Sequence, residues 1–371
     1  MPRTSPPALL LALFLAAGLA GAAQAQGARA PATVTGTVRD ADGQPLPGSS
    51  VYISGTTRGD AADAEGRYRI PAVTPGTYRL VGSMVGFTAD VREVQLPAGQ
   101  EVQLDLKLTP SVSGVGSVVV EAPDDSRWRR RLARFTTAIL GQTANAHRTR
   151  ILNPEVLDFS ESLLGTLTAT AAAPLIIENR ALGYRLHYDL HEFTAVRSGI
   201  NRYGDEVYEN LVPASDQEAA LWAVARERAW RGSYRHLLRT LIDGTTEKEG
   251  FTLSVTRESS RYPGVAETSP TTGRRIVRLR DGVRTIVVRG ILDVTYSGEA
   301  EEPAYVASDW YRGDGRRADH QRSYIRFGPP PPVLGDNLET SGRRIRRVGY
   351  MAFERLADIL PSDYVPAAER D

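Results

Sequence analysis

From Val34 to Leu108 the apolar positions alternate with polar ones in short runs, and each run ends at glycine or proline. Val102, Leu104, Leu106 and Leu108 fall on one side of a stretch whose other side is Gln103, Asp105 and Lys107, the period of a strand buried on one face. Tyr78 and Leu80 against Thr77 and Arg79 repeat it. The pattern predicts strands at Val34–Val38, Ser50–Ser54, Arg67–Ile70, Gly76–Ser83, Thr88–Leu96 and Glu101–Leu108. Between the first two, Gly43 and Gly48 supply positive φ while Pro45 and Pro47 hold the chain extended, which excludes helix there. So many short strands joined by tight turns predict a small antiparallel β-sandwich.

Beyond residue 125 the period changes. Trp128, Leu132, Phe135 and Ile139 recur at helical spacing within Ser126–Leu140, with Arg127, Arg129, Arg130, Arg131 and Arg134 largely elsewhere and Gly141 at the C-terminal end, an amphipathic helix. Strands are predicted at Thr166–Thr170, Tyr184–Phe193 and Glu206–Val212. Ser215 with Glu218 forms a capping box for a helix to about Trp230, and Ser233 opens another whose apolar stripe ends at Gly244. Phe251–Thr256, Arg275–Leu279, Arg284–Val288, Leu292–Tyr296 and Ser323–Phe327 read as strands, and Met351–Leu360 as a short helix. The summary is an α+β domain.

Arg3, the apolar run Ala8–Ala20 and the small-x-small Ala23-Gln24-Ala25 predict a secretory leader cleaved near Ala25; the run is shorter than the roughly 20 residues of a spanning helix. The expected organisation is a leader at 1–25, the sandwich at 33–109, a linker with the valine strand Val118–Val120 at 110–125, and the α+β domain at 126–371. The chain has no cysteine, so disulfides, thiolate metal sites and a lipidated cysteine are excluded. Its net charge of +1 falls to neutrality when the leader takes Arg3 with it, which gives nucleic acid no global field to follow.

Gly36-Thr37-Val38-Arg39-Asp40, Gly43-Gln44-Pro45-Leu46-Pro47-Gly48, Val51, Gly59, Asp63, Gly66-Arg67-Tyr68, Pro75-Gly76-Thr77-Tyr78 and Val85-Gly86-Phe87 resemble the carboxypeptidase-like regulatory domain. The resemblance covers residues 33–109 and implies a transthyretin-like sandwich of the kind that precedes other modules in bacterial cell-envelope proteins. Val118-Val119-Val120-Glu121 resembles the strand that follows this domain in TonB-dependent receptors, but the rest of the chain offers no plug or series of barrel strands. Leu152-Asn153-Pro154-Glu155 and Asp358-Ile359-Leu360-Pro361 resemble phrases in uncharacterised envelope proteins with the same domain; that likeness brings no activity.

The catalytic partner implied by the family's name is not expected. His147, His187, His191, His236 and His320 show neither His-x-x-Glu nor His-Glu-x-x-His spacing, as a zinc carboxypeptidase requires. Nucleophile elbow, Walker loop and dinucleotide fingerprint are also missing from the sequence. The candidate metal ligands are His187, Asp189 and His191, which share one face of a strand; the alternative is a row of solvent-facing polar residues. Asp60, Asp63 and Glu65 read as turn residues. No cofactor is expected. The reading is an exported, non-enzymatic envelope protein, in the periplasm or at the outer-membrane periphery, whose two regions bind or assemble. The partner is an envelope protein or a glycan, with Tyr52, Tyr68, Tyr78 and Phe87 as candidate sugar contacts, and the arginine-rich helix near Trp128 is a candidate peripheral membrane contact. A hydrolase with a metal site in the second region is the remaining alternative.

Overall fold

The computed structural model describes residues 30–110, 126–196, 199–258, 266–308, 311, 316–340 and 345–367. The leader at 1–25 and the valine strand Val118–Val120 lie outside these residues. In the first region Ala32–Arg39 pairs antiparallel with Arg67–Val73, and parallel with Glu101–Gln103 and Leu106–Lys107. The chain therefore enters and leaves this sheet in one direction. A second, wholly antiparallel sheet runs Gly59–Ala61, Ser50–Ile53, Gly76–Ser83, Asp90–Leu96. Alternate residues of each sheet turn inward, and Val34, Val38, Val51, Ile53, Ile70, Leu80, Leu96 and Leu106 are all essentially sealed, which is how a pleated strand hides one face.

The fit between strands is close at Gly36. Tyr68 Oη donates to the Leu104 carbonyl at 2.5 Å, and that carbonyl stands where a Cβ of residue 36 would be. The acidic turn is built of local hydrogen bonds: Asp63 accepts from the Glu65 and Arg67 amides and the Arg67 side chain, and Asp60 from the Arg69 amide.

Two sheets share one core in the second region. The long hairpin Tyr184–Val196 and Gly199–Asn210 forms one side of the first sheet; Leu175–Asn179 and Leu167–Ala171 pair along the hairpin's other flank, followed by Thr149–Ile151 and Leu157–Glu161 at the ends. The second sheet runs Ala266–Thr271, Phe251–Glu258, Ile291–Tyr296, Gln321–Phe327, Ile345–Gly349. Helix Ser126–Leu140 lies on the first sheet through Phe135, whose ring meets Phe193 edge-on at 4.6 Å and Phe159 at 5.5 Å. Helices Asp216–Trp230 and Tyr234–Asp243 begin at Ser215 and Ser233, whose hydroxyls accept from the Glu218 and His236 amides. The second ends at Gly244 with φ 69°.

The expected helix at Met351–Leu360 is cut to Tyr350–Phe353. The backbone beyond it has other work: the Leu356 and Ala357 amides donate to the Ile139 and Leu140 carbonyls, closing the C-terminal end of helix Ser126–Leu140, whose last carbonyls lack partners within the helix. Likewise Gly273–Ile276 is one helical turn before the strand Val277–Arg280, where an unbroken strand from Arg275 is expected.

The Gly36→Ala chain is expected to lose about 3 kcal/mol of stability, because a methyl group there displaces a backbone carbonyl. Gly43→Ala, at φ 83° in open space, is expected to lose about 1 kcal/mol. Denaturant titration of the two variants separates crowding from backbone strain.

Candidate functional site

The two regions meet along the outer edge of Gly199–Asn210. An edge strand leaves a row of N–H and C=O groups unpaired, and here the turn after Ser50–Ile53 takes up part of that row. Gly55 N–H donates to Glu206 O at 2.6 Å, and Tyr208 N–H donates to Thr56 O at 3.0 Å. From the C-terminal segment the Ser362 amide donates to Gly55 O at 2.8 Å, while Asp363 accepts from the Thr57 amide and hydroxyl. Asn337 Nδ2 donates to Thr77 O at 2.8 Å.

At the centre of this seam sits Asp205, 1% exposed. Arg79 Nη2 of the sandwich stands 2.6 Å from its Oδ1, off the line of an ideal hydrogen bond, and His191 Nε2 lies 2.8 Å from its Oδ2. Arg79 also donates to the Tyr203 hydroxyl and, at 3.2 Å, to Gly204 O, and lies over the Tyr203 ring at 4.9 Å. Tyr52 faces the same cluster: burial first, then the charges of Asp205 and Asp189, push its hydroxyl well above the usual phenol range despite Arg79.

Of the three expected metal ligands, the structure gives each a different setting. His187 faces Glu209 at 3.5 Å, Asp189 lies towards Tyr52, and His191 belongs to Asp205. Same-face neighbours on a strand are about 7 Å apart, whereas donors on one zinc ion lie about 3 Å from each other; a bulge between Leu190 and Glu192 shifts His191 further out of register. Among the described residues no group of three His, Asp or Glu side chains has metal-holding geometry. The three side chains share a strand face in this structure and do not converge on one point.

Two further expectations change. Tyr68 and Tyr78 are core residues bonded to the Leu104 and Thr74 carbonyls, and Tyr52 lies in the seam, so three of the four proposed sugar-stacking rings are already engaged. Trp128 turns inward, its Nε1 donating to Leu157 O at 3.2 Å and its ring 6.2 Å from Phe159. Arg134 of the same helix bonds Glu161 at 2.5 Å and the Gly165 carbonyl. Trp128 and Arg134 thus tie the helix to its own sheet rather than presenting it to a bilayer.

On its opposite face the same hairpin strand borders a cavity of about 220 Å³, enclosed by Arg202 and Glu206, Tyr234 and Arg235 of helix Tyr234–Asp243, Arg347, and the segment Glu354–Leu360. Charged groups inside a protein are ordinarily paired. Here Arg235 bonds Glu339 at 2.6 Å and also the Leu360 carbonyl; Arg347 lies over the Tyr234 ring at 4.9 Å; Arg202 reaches the Tyr188 hydroxyl, at 3.5 Å, and that ring's face. Burial raises the Glu206 carboxyl against the pull of Arg202 and Arg235, and burial together with Asp358 raises Glu354 well above the carboxylate range. Asp358, held by Thr143, Asn145 and the Arg355 amide, is itself pushed up to about 6 by burial. Sequence reasoning missed these residues; Arg202 and Glu206, four apart on one strand face, were the available signal.

Residues 33–109 match the carboxypeptidase regulatory-like domain family. A TonB-dependent receptor of Formosa agariphila is 35% identical over 91 residues, 24% of this chain and 8% of the receptor; the shared stretch is thus a small part of that protein. Among solved structures, a putative carbohydrate binding protein from Bacteroides uniformis is 13% identical over 42% of this chain and 57% of its own, with a TM-score of 0.19. A cohesin-X-dockerin complex from Acetivibrio cellulolyticus is 22% identical over 21% of this chain and 58% of its own, also at 0.19. Scores that low carry no argument about function.

Asp205→Asn is expected to cost about 3 kcal/mol, since it strips Arg79 of its buried counter-charge, and to split one thermal unfolding transition into two as the sandwich uncouples. Calorimetry of Asp205→Asn, Arg79→Ala and the double variant reads both effects. A pH dependence is expected from His236, which accepts the Gly232 amide on Nδ1 at 3.1 Å among the rings of Trp230, Phe251 and Tyr296. Burial, then Arg231, lowers it from 6.5 to about 4. The folded state therefore favours neutral imidazole, and this stability is complete above pH 6.5 and lost as pH falls towards 4, by about 3 kcal/mol. Asp358, raised, works in the opposite sense in both chains, so the difference between wild type and His236→Gln in urea midpoint against pH isolates the histidine.

Proposed function

We propose that this chain, which carries a carboxypeptidase regulatory-like domain at residues 33–109, is an exported, non-enzymatic protein of the cell envelope whose sandwich and α+β region act together as one binding or assembly module. The seam carries the reading. The sandwich spends its Gly55–Thr57 turn, Thr77 and Arg79 on the free edge and buried carboxylate of the second region, so it serves as a rigid structural partner rather than a tethered accessory. The domain type it shares with part of a TonB-dependent receptor supports an envelope setting, and no helix among the described residues is long and apolar enough to cross a membrane. The basic character of helix Ser126–Leu140 is spent at least in part on Glu161, which favours a protein partner over a lipid surface.

The test is fractionation of the producing cell followed by intact-mass analysis and crosslinking of the full chain. The expected outcome is a mature chain beginning at Gln26 in the envelope fraction, crosslinked to a partner in a fixed ratio, with that crosslink weakened by Arg79→Ala. A chain retaining Met1 in the cytoplasm overturns the location, and an envelope chain that crosslinks to nothing overturns the binding role.

A further inference from the structure

The geometry points to the cavity between Arg202, Arg235 and Arg347 as a binding site for a small organic anion: a carboxylate or phosphate held by the guanidinium groups, on a body carrying hydroxyls or an amine for Glu206. This goes beyond the partner-binding role: Arg202 and Glu206 leave strand Gly199–Asn210 on the face opposite Asp205.

Charge balance is the first argument. Three guanidiniums border the space, and among the described residues the carboxylate bonded to them is Glu339, to Arg235. Among the described residues Arg347 has no hydrogen-bonded acid and rests on the Tyr234 ring, and Arg202 has only a phenol oxygen at 3.5 Å. Of the other acids on the wall, Asp358 is turned to Thr143 and Asn145, burial raises Glu354 well above the usual carboxylate range, and Glu206, itself raised by burial, faces Arg202 and Arg235 without a hydrogen bond to either among the described residues. Burial first, and then the Arg202 and Arg235 cations, lower Arg347 against the opposing pull of Tyr234 and Glu354. Each guanidinium carries the planar fork of N–H donors that carboxylate and phosphate groups match, and Arg202 and Arg347 both border this space.

Shape is the second argument. About 220 Å³ is far more than the 10–15 Å³ that a single water needs and less than the roughly 300 Å³ at which pockets for drug-sized ligands begin, which restricts the occupant to a small molecule. Trp230, Ile359 and Leu360 give the space an apolar wall, which suits a carbon skeleton better than a bare inorganic ion. Glu206 faces it with no hydrogen-bond donor from any described side chain, so the ligand's own donors complete it.

The test is thermal-shift and calorimetric titration of the full-length chain with glucuronate, glucose 6-phosphate, inorganic phosphate and glucose. The proposal expects glucuronate or glucose 6-phosphate to raise the melting temperature by several degrees at millimolar concentration while neutral glucose does not; which of the two binds identifies the acid group. Arg347→Gln and, separately, Arg202→Gln are expected to weaken that ligand at least tenfold, with circular dichroism confirming the fold. Glu206→Gln is expected to retain the anion but lose the preference for a hydroxylated ligand over inorganic phosphate. No shift with any anion, an equal shift with glucose, or undiminished affinity in the folded arginine variants overturns the proposal.

Discussion

A carboxylate removed from water must be met by positive charge and donors, or it costs several kcal/mol. Asp205 is such a group, and it holds the molecule together. The hairpin alone gives it the His191 ring nitrogen; a guanidinium comes from Arg79, across the seam. The sandwich must therefore sit where Arg79 can reach, and the Gly55–Thr56 turn then falls on the sheet edge, the C-terminal Ser362–Asp363 on that turn. Electrostatics and edge pairing specify one orientation, and agreement between such independent constraints is what gives a fold a single arrangement.

Strand Gly199–Asn210 serves two environments with alternate residues. Tyr203 and Asp205 point to the seam, Arg202 and Glu206 to the cavity, and Tyr208 to the core. A strand ordinarily has one apolar and one wet face; this one has polar groups on both, those of one face met across the seam and those of the other lining the cavity.

That arrangement explains what the sequence could and could not disclose. The sandwich was legible because its strands obey the simple rule: Val34, Val38 and Leu80 inside, threonines and arginines outside. The caps at Ser215, Ser233 and Gly244 were legible because capping chemistry is local. Gly199–Asn210 was read only from Glu206 onward, because Asn201-Arg202-Tyr203-Gly204-Asp205 lacks the apolar alternation that marks a strand; Tyr203 and Asp205 are met by Arg79, more than a hundred residues away. The end of the expected C-terminal helix failed for the same reason, since Leu356 and Ala357 answer to carbonyls of a distant helix. His187, Asp189 and His191 show the limit of face assignment: periodicity tells which way side chains point, and only tertiary contacts tell what they meet.

The covered sheet edge has a consequence for how such a chain can be divided or recombined. Were the second region produced without the sandwich, the Glu206 carbonyl and Tyr208 amide on the edge of a twelve-residue strand would lose their partners and Asp205 its arginine. An open edge of that length is a template for another copy of itself. The sandwich thus behaves as an intramolecular guard against self-association, and exchanging it for another domain of the same family would preserve solubility only if the newcomer carried an arginine and a turn at matching places.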